Sequence, residues 1–286
     1  PQLRGVSDFW LHSTFGGSPA QVVNFNDGGS SLPSPEVVAG LAGLLRDPNL
    51  HWYLTTHYES VDTLHGLLAF NPRLVPCAPD RNTRTRIYRD LGWALARSGW
   101  ERQDVFFAFK SGPVFSHGHY DAGSFILAVG NETLLHDPGT CDYGYPQHKG
   151  YFMTTRAHNT VLIDDQGQSG DASLKPVLHT DDYFHVVGNL APAYRVEGVN
   201  EFLRHAVFSP RTGTLVIMDR FDVGGAAVDW LLHPGTQRFE HEGSTLRVDG
   251  EHASMKALVV YPEEEVRWTR EQGWVGKVPK PADYLR

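Results

Sequence analysis

Apolar residues recur at helical spacing near the amino end of the chain and in short extended runs after it. Ser34-Pro35-Glu36 reads as a helix start, with a capping serine, a proline in the first turn and an acid near the positive helix end. Val37, Val38, Leu41, Leu44 and Leu45 follow on one helical face. Asp47-Pro48-Asn49 ends that helix, and a second helical stretch is predicted from Leu50 to Phe70, with a break near Glu59-Ser60. Residues 71–85 hold three prolines and little periodicity, which places a domain boundary there. Short strands are predicted beyond it: Ile87-Tyr88, Trp93–Ala96, Val105–Phe109, Ser124–Val129, Thr133–His136, Thr160–Ile163, Phe202–Phe208, Thr214–Asp219, Trp230–His233 and Ala257–Val260. Many short strands with turns between them and little helix indicate an antiparallel sandwich.

Composition agrees with a turn-rich β protein: of 286 residues, 29 are glycine, 18 proline and 7 tryptophan. The formal net charge of −8 argues against a nucleic-acid partner. Cys77 and Cys141 are far apart and suggest no disulfide framework. No apolar run approaches the roughly 20 residues of a membrane helix, and no signal peptide is visible. The chain opens at Pro1 without an initiator methionine, so a piece of a longer protein is expected.

The chemistry is densest at Ser116-His117-Gly118-His119-Tyr120-Asp121, followed by Asp137 and by Ala157-His158-Asn159-Thr160. In extended chain, residues two apart point the same way, so His117 and His119 project together. His119, Asp137 and His158 offer two nitrogens and an oxygen, a set that zinc accepts. The same residues also fit hydrogen-bonded core imidazoles and a turn aspartate before Pro138-Gly139.

These blocks resemble the heparinase II/III-like polysaccharide lyases. The matching stretches are 116–125, Leu135-His136-Asp137-Pro138-Gly139-Thr140, and 151–161 with its Ala-His-Asn-Thr core. Asn24-Phe25-Asn26-Asp27 looks like a segment near the end of that family's helical domain. The resemblance implies an α+β, mainly β, fold. The end of an (α/α) toroid would occupy residues 1–80 and an antiparallel β-sandwich residues 81–286. It also implies zinc on His119, Asp137 and His158, and an active-site role for His117. The Asn-His pair and the tyrosine that the family places in the toroid have no counterpart before His117.

The reaction implied is β-elimination on an acidic, uronate-containing polysaccharide or oligosaccharide, of alginate or glycosaminoglycan type. Such a reaction needs a base, an acid and neutralisation of the uronate carboxylate. His117 is the candidate base or neutraliser. Tyr143, Tyr145 and Tyr151 are the nearby tyrosines, with Tyr145 and Tyr151 taken as catalytic candidates. Arg156 is the candidate for pairing with a carboxylate, and His233 reads as a satisfied strand-end histidine. A periplasmic or secreted location goes with the resemblance. Two other readings remain: a cupin-like metalloenzyme, whose expected glutamate is replaced by Gly123 and Ser124, and a non-catalytic carbohydrate-binding sandwich.

Overall fold

The computed structural model describes residues 2–17, 20–261 and 266–286. Four α-helices lie near the amino end: α1 (Gln2–Ser13), α2 (Pro35–Leu45), α3 (Pro48–His57) and α4 (Leu64–Ala69). Pro35 opens α2 as predicted, but the Ser34 side chain makes no capping bond. Asp47 begins a helix as well as ending one. Its carboxylate accepts from the Asn49 and Leu50 amides at 3.0 and 3.2 Å and caps α3. The stretch predicted to Phe70 is split, because α3 stops at His57 and α4 restarts behind a Thr63 cap. Leu11, Val38, Ala39, Ala42, Leu50, Tyr53 and Leu54 form the shared helical core.

Beyond residue 84 the chain is mainly antiparallel β. Thr85–Tyr88, Trp93–Arg97, Val105–Lys110, Phe125–Val129 and Glu132–Leu135 form a five-stranded meander. A second sheet orders Thr214–Asp222, Glu201–Ser209, Phe184–Asn189 and Ser173–His179 side by side. Phe107, Phe109, Phe125 and Leu135 of the first sheet meet Phe184, Val186, Ala206 and Phe208 of the second, making a β-sandwich core. The opposite face of the meander is also covered. Trp93, Leu95, Phe106, Ala108, Ile126 and Ala128 pack under Phe15, Val23 and Phe25. Burial on both faces explains why Val105-Phe106-Phe107-Ala108-Phe109 is apolar without alternation. Glu201–Ser209, by contrast, alternates buried and half-buried positions along its length.

The strands Ser173–His179 and Phe184–Asn189 were not anticipated. Pro176 and a register shift after His185 disguise the first pairing. The hairpins Phe239–Glu242 with Thr245–Asp249, and Arg270–Val275 with Lys280–Leu285, also lack apolar runs. Predicted Ala257–Val260 is observed as Ser254–Leu258, and Trp230–His233 as Val228–Trp230 plus a bridge from Leu232 to Leu285.

The register places the site. Phe109 pairs with Phe125, and Leu127 with Leu135, so the connections 111–124 and 136–160 leave the same end of the meander. The Phe25 ring packs 5.2 Å from Trp93, which pairs with Lys110 at that end. The next residues, Asn26 and Asp27, are thereby delivered to the same place.

Candidate active site

His117 sits in the left-handed backbone region, at φ 63°. That conformation is uncommon for a residue with a side chain and is held here by neighbours. The His117 carbonyl accepts from the Asp27 amide at 3.2 Å. Its imidazole stays 64% exposed, while Nδ1 lies 3.0 Å from Asp27 Oδ2 and 2.7 Å from the Tyr143 hydroxyl. Tyr143 in turn donates to Asp27 Oδ2 at 2.7 Å. With the phenol donating to the carboxylate, Nδ1–H donates into the pair, which leaves the lone pair of a neutral ring on Nε2 of this largely exposed side chain.

Asp27 gathers further rings. Its Oδ1 accepts from His119 Nε2 and from His148 Nε2, each at 3.1 Å. Burial works to raise the Asp27 pKa, but hydrogen bonds from Tyr143, His119, His148 and Thr140 outweigh it and hold the carboxyl well below the usual range. The donor on Tyr143 is correspondingly held above its ordinary pKa, chiefly by its hydrogen bond to Asp27.

Behind His117 the site is closed. His119 and His158 are fully buried, with ring centroids 5.3 Å apart. His119 donates through Nε2, so its Nδ1 carries a lone pair; that atom is buried and has no hydrogen-bond partner among the described residues. Asp121 Oδ2 is likewise buried without a partner, while its Oδ1 pairs with the buried Lys110 ammonium. Lys110 also bonds Asn26, whose Oδ1 accepts the His119 amide at 3.2 Å. Buried atoms of this kind are costly unless something satisfies them.

His119, Asp121 and His158 each offer a ligand atom, all within 4.8 Å of one another. Asp137, the oxygen donor expected from the resemblance, adjoins that group through His158, with Oδ2 2.8 Å from His158 Nδ1. His158 Nε2 donates to the Phe152 carbonyl at 2.9 Å. Both His158 nitrogens therefore carry protons here. Burial opposes that charge, but Asp137 outweighs it and raises the His158 pKa. A cation held at this group requires His158 to release one of those protons. The donor chemistry, two imidazoles with one or two carboxylates, fits zinc.

None of the other sequence candidates is joined to His117 or Asp27 by a side-chain hydrogen bond among the described residues. Tyr145 is 38% exposed on the turn after Asp142. Tyr151 is buried with Phe152, Leu162, Leu231 and Tyr284, and its hydroxyl lies 3.4 Å from His233 Nε2. That is a packing environment, and Tyr143 is instead the tyrosine joined to His117. Arg156 is already paired with Asp165 at 3.0 Å and Glu271 at 3.6 Å. His233 is buried and its Nε2 meets the Arg156 carbonyl at 3.1 Å, but its Nδ1 is buried without a partner among the described residues, so the satisfied histidine expected from the sequence is satisfied on one nitrogen only. Sequence reasoning singled out neither Asp27 nor His148 as site residues. Asp27 stood in the Asn24–Asp27 stretch, but its partners are 90 to 121 residues away in sequence.

Comparison with known proteins is consistent across fold and sequence. The chain resembles a heparinase III with methylated lysines at 18% identity and TM-score 0.78, over 97% of this chain and 41% of that one. It resembles another heparinase III at 15% identity and TM-score 0.74, over 99% of this chain and 44% of that one. For the heparan sulfate lyase HepC from Pedobacter heparinus the values are 16% and 0.71, over 93% and 41%. At these identities the likeness is one of fold, and the chain spans about two fifths of each protein's length. A search of curated proteins finds no match. Residues 80–281 match the family profile described as heparinase II/III-like, C-terminal. Since that match extends over well more than half of its length, the chain belongs to the heparinase II/III-like family.

Proposed function

We propose that the chain supplies part of the active site of a polysaccharide lyase that cleaves a uronate-containing polymer, of glycosaminoglycan or alginate type, by β-elimination. The observation that carries this reading is the exposed His117 imidazole, oriented by Asp27 and Tyr143. In such a reaction the C5 proton leaves to a base, the C4–O4 bond breaks, a C4–C5 double bond forms and O4 takes up a proton. His117 Nε2, with the lone pair of the neutral ring, acts as the base or, once protonated, as the group that neutralises the uronate. Tyr143 stands beside it to exchange a proton, and Tyr145 forms part of the sugar-facing wall. Arg156 and Tyr151 take no part, being committed to ion pairing and packing.

His119, Asp137 and His158 are the residues proposed to hold zinc, with Asp121 adjoining. The metal would tie together the two connections that carry these groups. The unpartnered His119 Nδ1 supports a cation at this group, and the unpartnered Asp121 Oδ2 offers a further oxygen donor beside Asp137. A periplasmic or secreted site of action, and a helical partner region beyond this stretch, belong to the same proposal.

The test uses the full-length protein that contains this stretch. Heparan sulfate, hyaluronan and alginate are offered in turn, and the absorbance of the unsaturated uronate product is followed. Replacing His117 by Ala should lower kcat by about 100-fold or more on the accepted polymer. Full activity in a folded His117→Ala protein would sink the assignment. Polymer binding without any product from the unaltered protein would favour a carbohydrate-binding sandwich instead.

A further inference from the structure

A second histidine pair lies away from the candidate active site, on the outward face of the four-stranded sheet. His185 pairs across the strands with Val207, and His205 with Val187, which sets the two histidines diagonally on one face. His185 Nε2 and His205 Nδ1 lie 3.0 Å apart, with ring centroids at 5.3 Å. On the next strand Met218 pairs directly with His205 and is 56% exposed. Directly paired residues share a sheet face, with Cβ atoms about 4.5–5.5 Å apart. The flexible Met218 thioether is therefore within reach of the imidazoles.

Two nitrogens bound to one metal ion at about 2.0–2.1 Å, in adjacent positions, stand roughly 2.8–3.4 Å apart. The His185–His205 separation is already that of a chelate. Two imidazoles with a thioether form a partly soft donor set, and copper is the metal that suits both donor types and is drawn to the thioether as copper(I). We propose that His185 Nε2, His205 Nδ1 and Met218 Sδ form a surface copper(I) site, distinct from the buried His119 group.

The site needs little rearrangement. At present one imidazole donates to the other. On binding, the bridging hydrogen moves to the donor's second ring nitrogen, so both facing nitrogens present lone pairs and no proton is lost. Burial, and then the neighbouring His205, hold His185 below the ordinary imidazole pKa, which favours its neutral form. Leu178 pairs with His185 on the other side, Lys175 pairs with Val187, and Arg220 is engaged by Glu201. The immediate surround is thus apolar with Lys175 as the neighbouring free cation among the described residues, which suits a monovalent ion better than a divalent one.

The experiment measures copper(I), kept reduced by ascorbate, in competition with a chromogenic chelator. The chain carries Cys77→Ser, so that the exposed Cys77 thiol does not take the metal. The expected result is one copper equivalent that disappears in His185→Gln and in His205→Gln. It should be held about tenfold more weakly in Met218→Leu. The buried group is the same in every protein compared, so its contribution cancels. Unchanged copper content in the two glutamine variants, with native circular dichroism, would overturn the proposal. Methyl NMR of the parent chain decides independently of how the variants fold. The Met218 signal should shift with the first equivalent while Met153 and Met255 stay put, and an unmoved Met218 would overturn the site.

Discussion

Asp27 shares one carboxylate among three imidazoles and a phenol. It thereby couples the exposed His117 to the buried His119 through a single group. Asp27→Asn keeps the shape but loses the charge that fixes His117 with Nδ1–H inward. If the full-length protein has the proposed lyase activity, this is expected to lower its kcat by about 10- to 100-fold with a smaller change in KM. Steady-state kinetics across pH would check it, and an unaltered kcat would show that His117 needs no such orienter. At this scale the sequence was informative where ligands cluster locally. His117 and His119 fall within one short block, whereas Asp121 of the same block was not picked out as a donor and is seen to be one only beside His119 and His158 in the folded chain. The sequence was uninformative for Asp27 and His148, whose roles arise only when the segment after Phe25 is laid across the end of the sheet. Tyr151 and Tyr143 look alike in sequence, and only burial separates a packing ring from an exposed one.

Among the elements, α3 is the one whose ends and interior are best explained. Asp47 caps it and also accepts from Ser7 of α1 at 2.9 Å, so one side chain fastens two helices. Asp47→Ala should cost about 1 kcal/mol, read as a lower midpoint in urea unfolding with an unchanged slope. At its other end His57 packs against Tyr53, with ring centroids 4.7 Å apart. Burial, and then the Arg97 charge, press the His57 pKa from 6.5 to about 4. Between those values the unfolded chain binds the proton and the folded chain does not. This contribution is therefore intact above about pH 6.5 and lost as the pH falls toward about 4. The resulting loss between pH 7 and pH 5 is about 2 kcal/mol and should be absent in His57→Leu when both proteins are unfolded by urea at each pH.

Legibility at the element scale followed burial. Strands of the five-stranded sheet were readable because both faces are covered and their apolar runs are dense. Ser173–His179 was not, since it lies at the sheet's edge, carries Pro176 and exposes much of its surface. The hairpin Arg270–Val275 with Lys280–Leu285 is mostly polar, so hydrophobic pattern alone gave no signal there.

For the whole molecule, the cover over the meander has a practical outcome. The family match starts at residue 80, yet Phe15, Val23 and Phe25 pack on Trp93, Leu95, Phe106 and Ile126. A protein trimmed to begin at Asp80 would present that aromatic face to water, and exposed apolar patches of this kind drive association. Such a trimmed protein is expected to elute as aggregate in size-exclusion chromatography with light scattering, whereas one retaining residues 2–79 should not. A monodisperse trimmed protein would show the cover to be dispensable. The point reaches beyond handling. A recombination event that moved only the profile-matching portion into another gene would leave behind both a core wall and Asp27. As an evolutionary cassette, this sandwich is heritable only together with the strip of chain that precedes it.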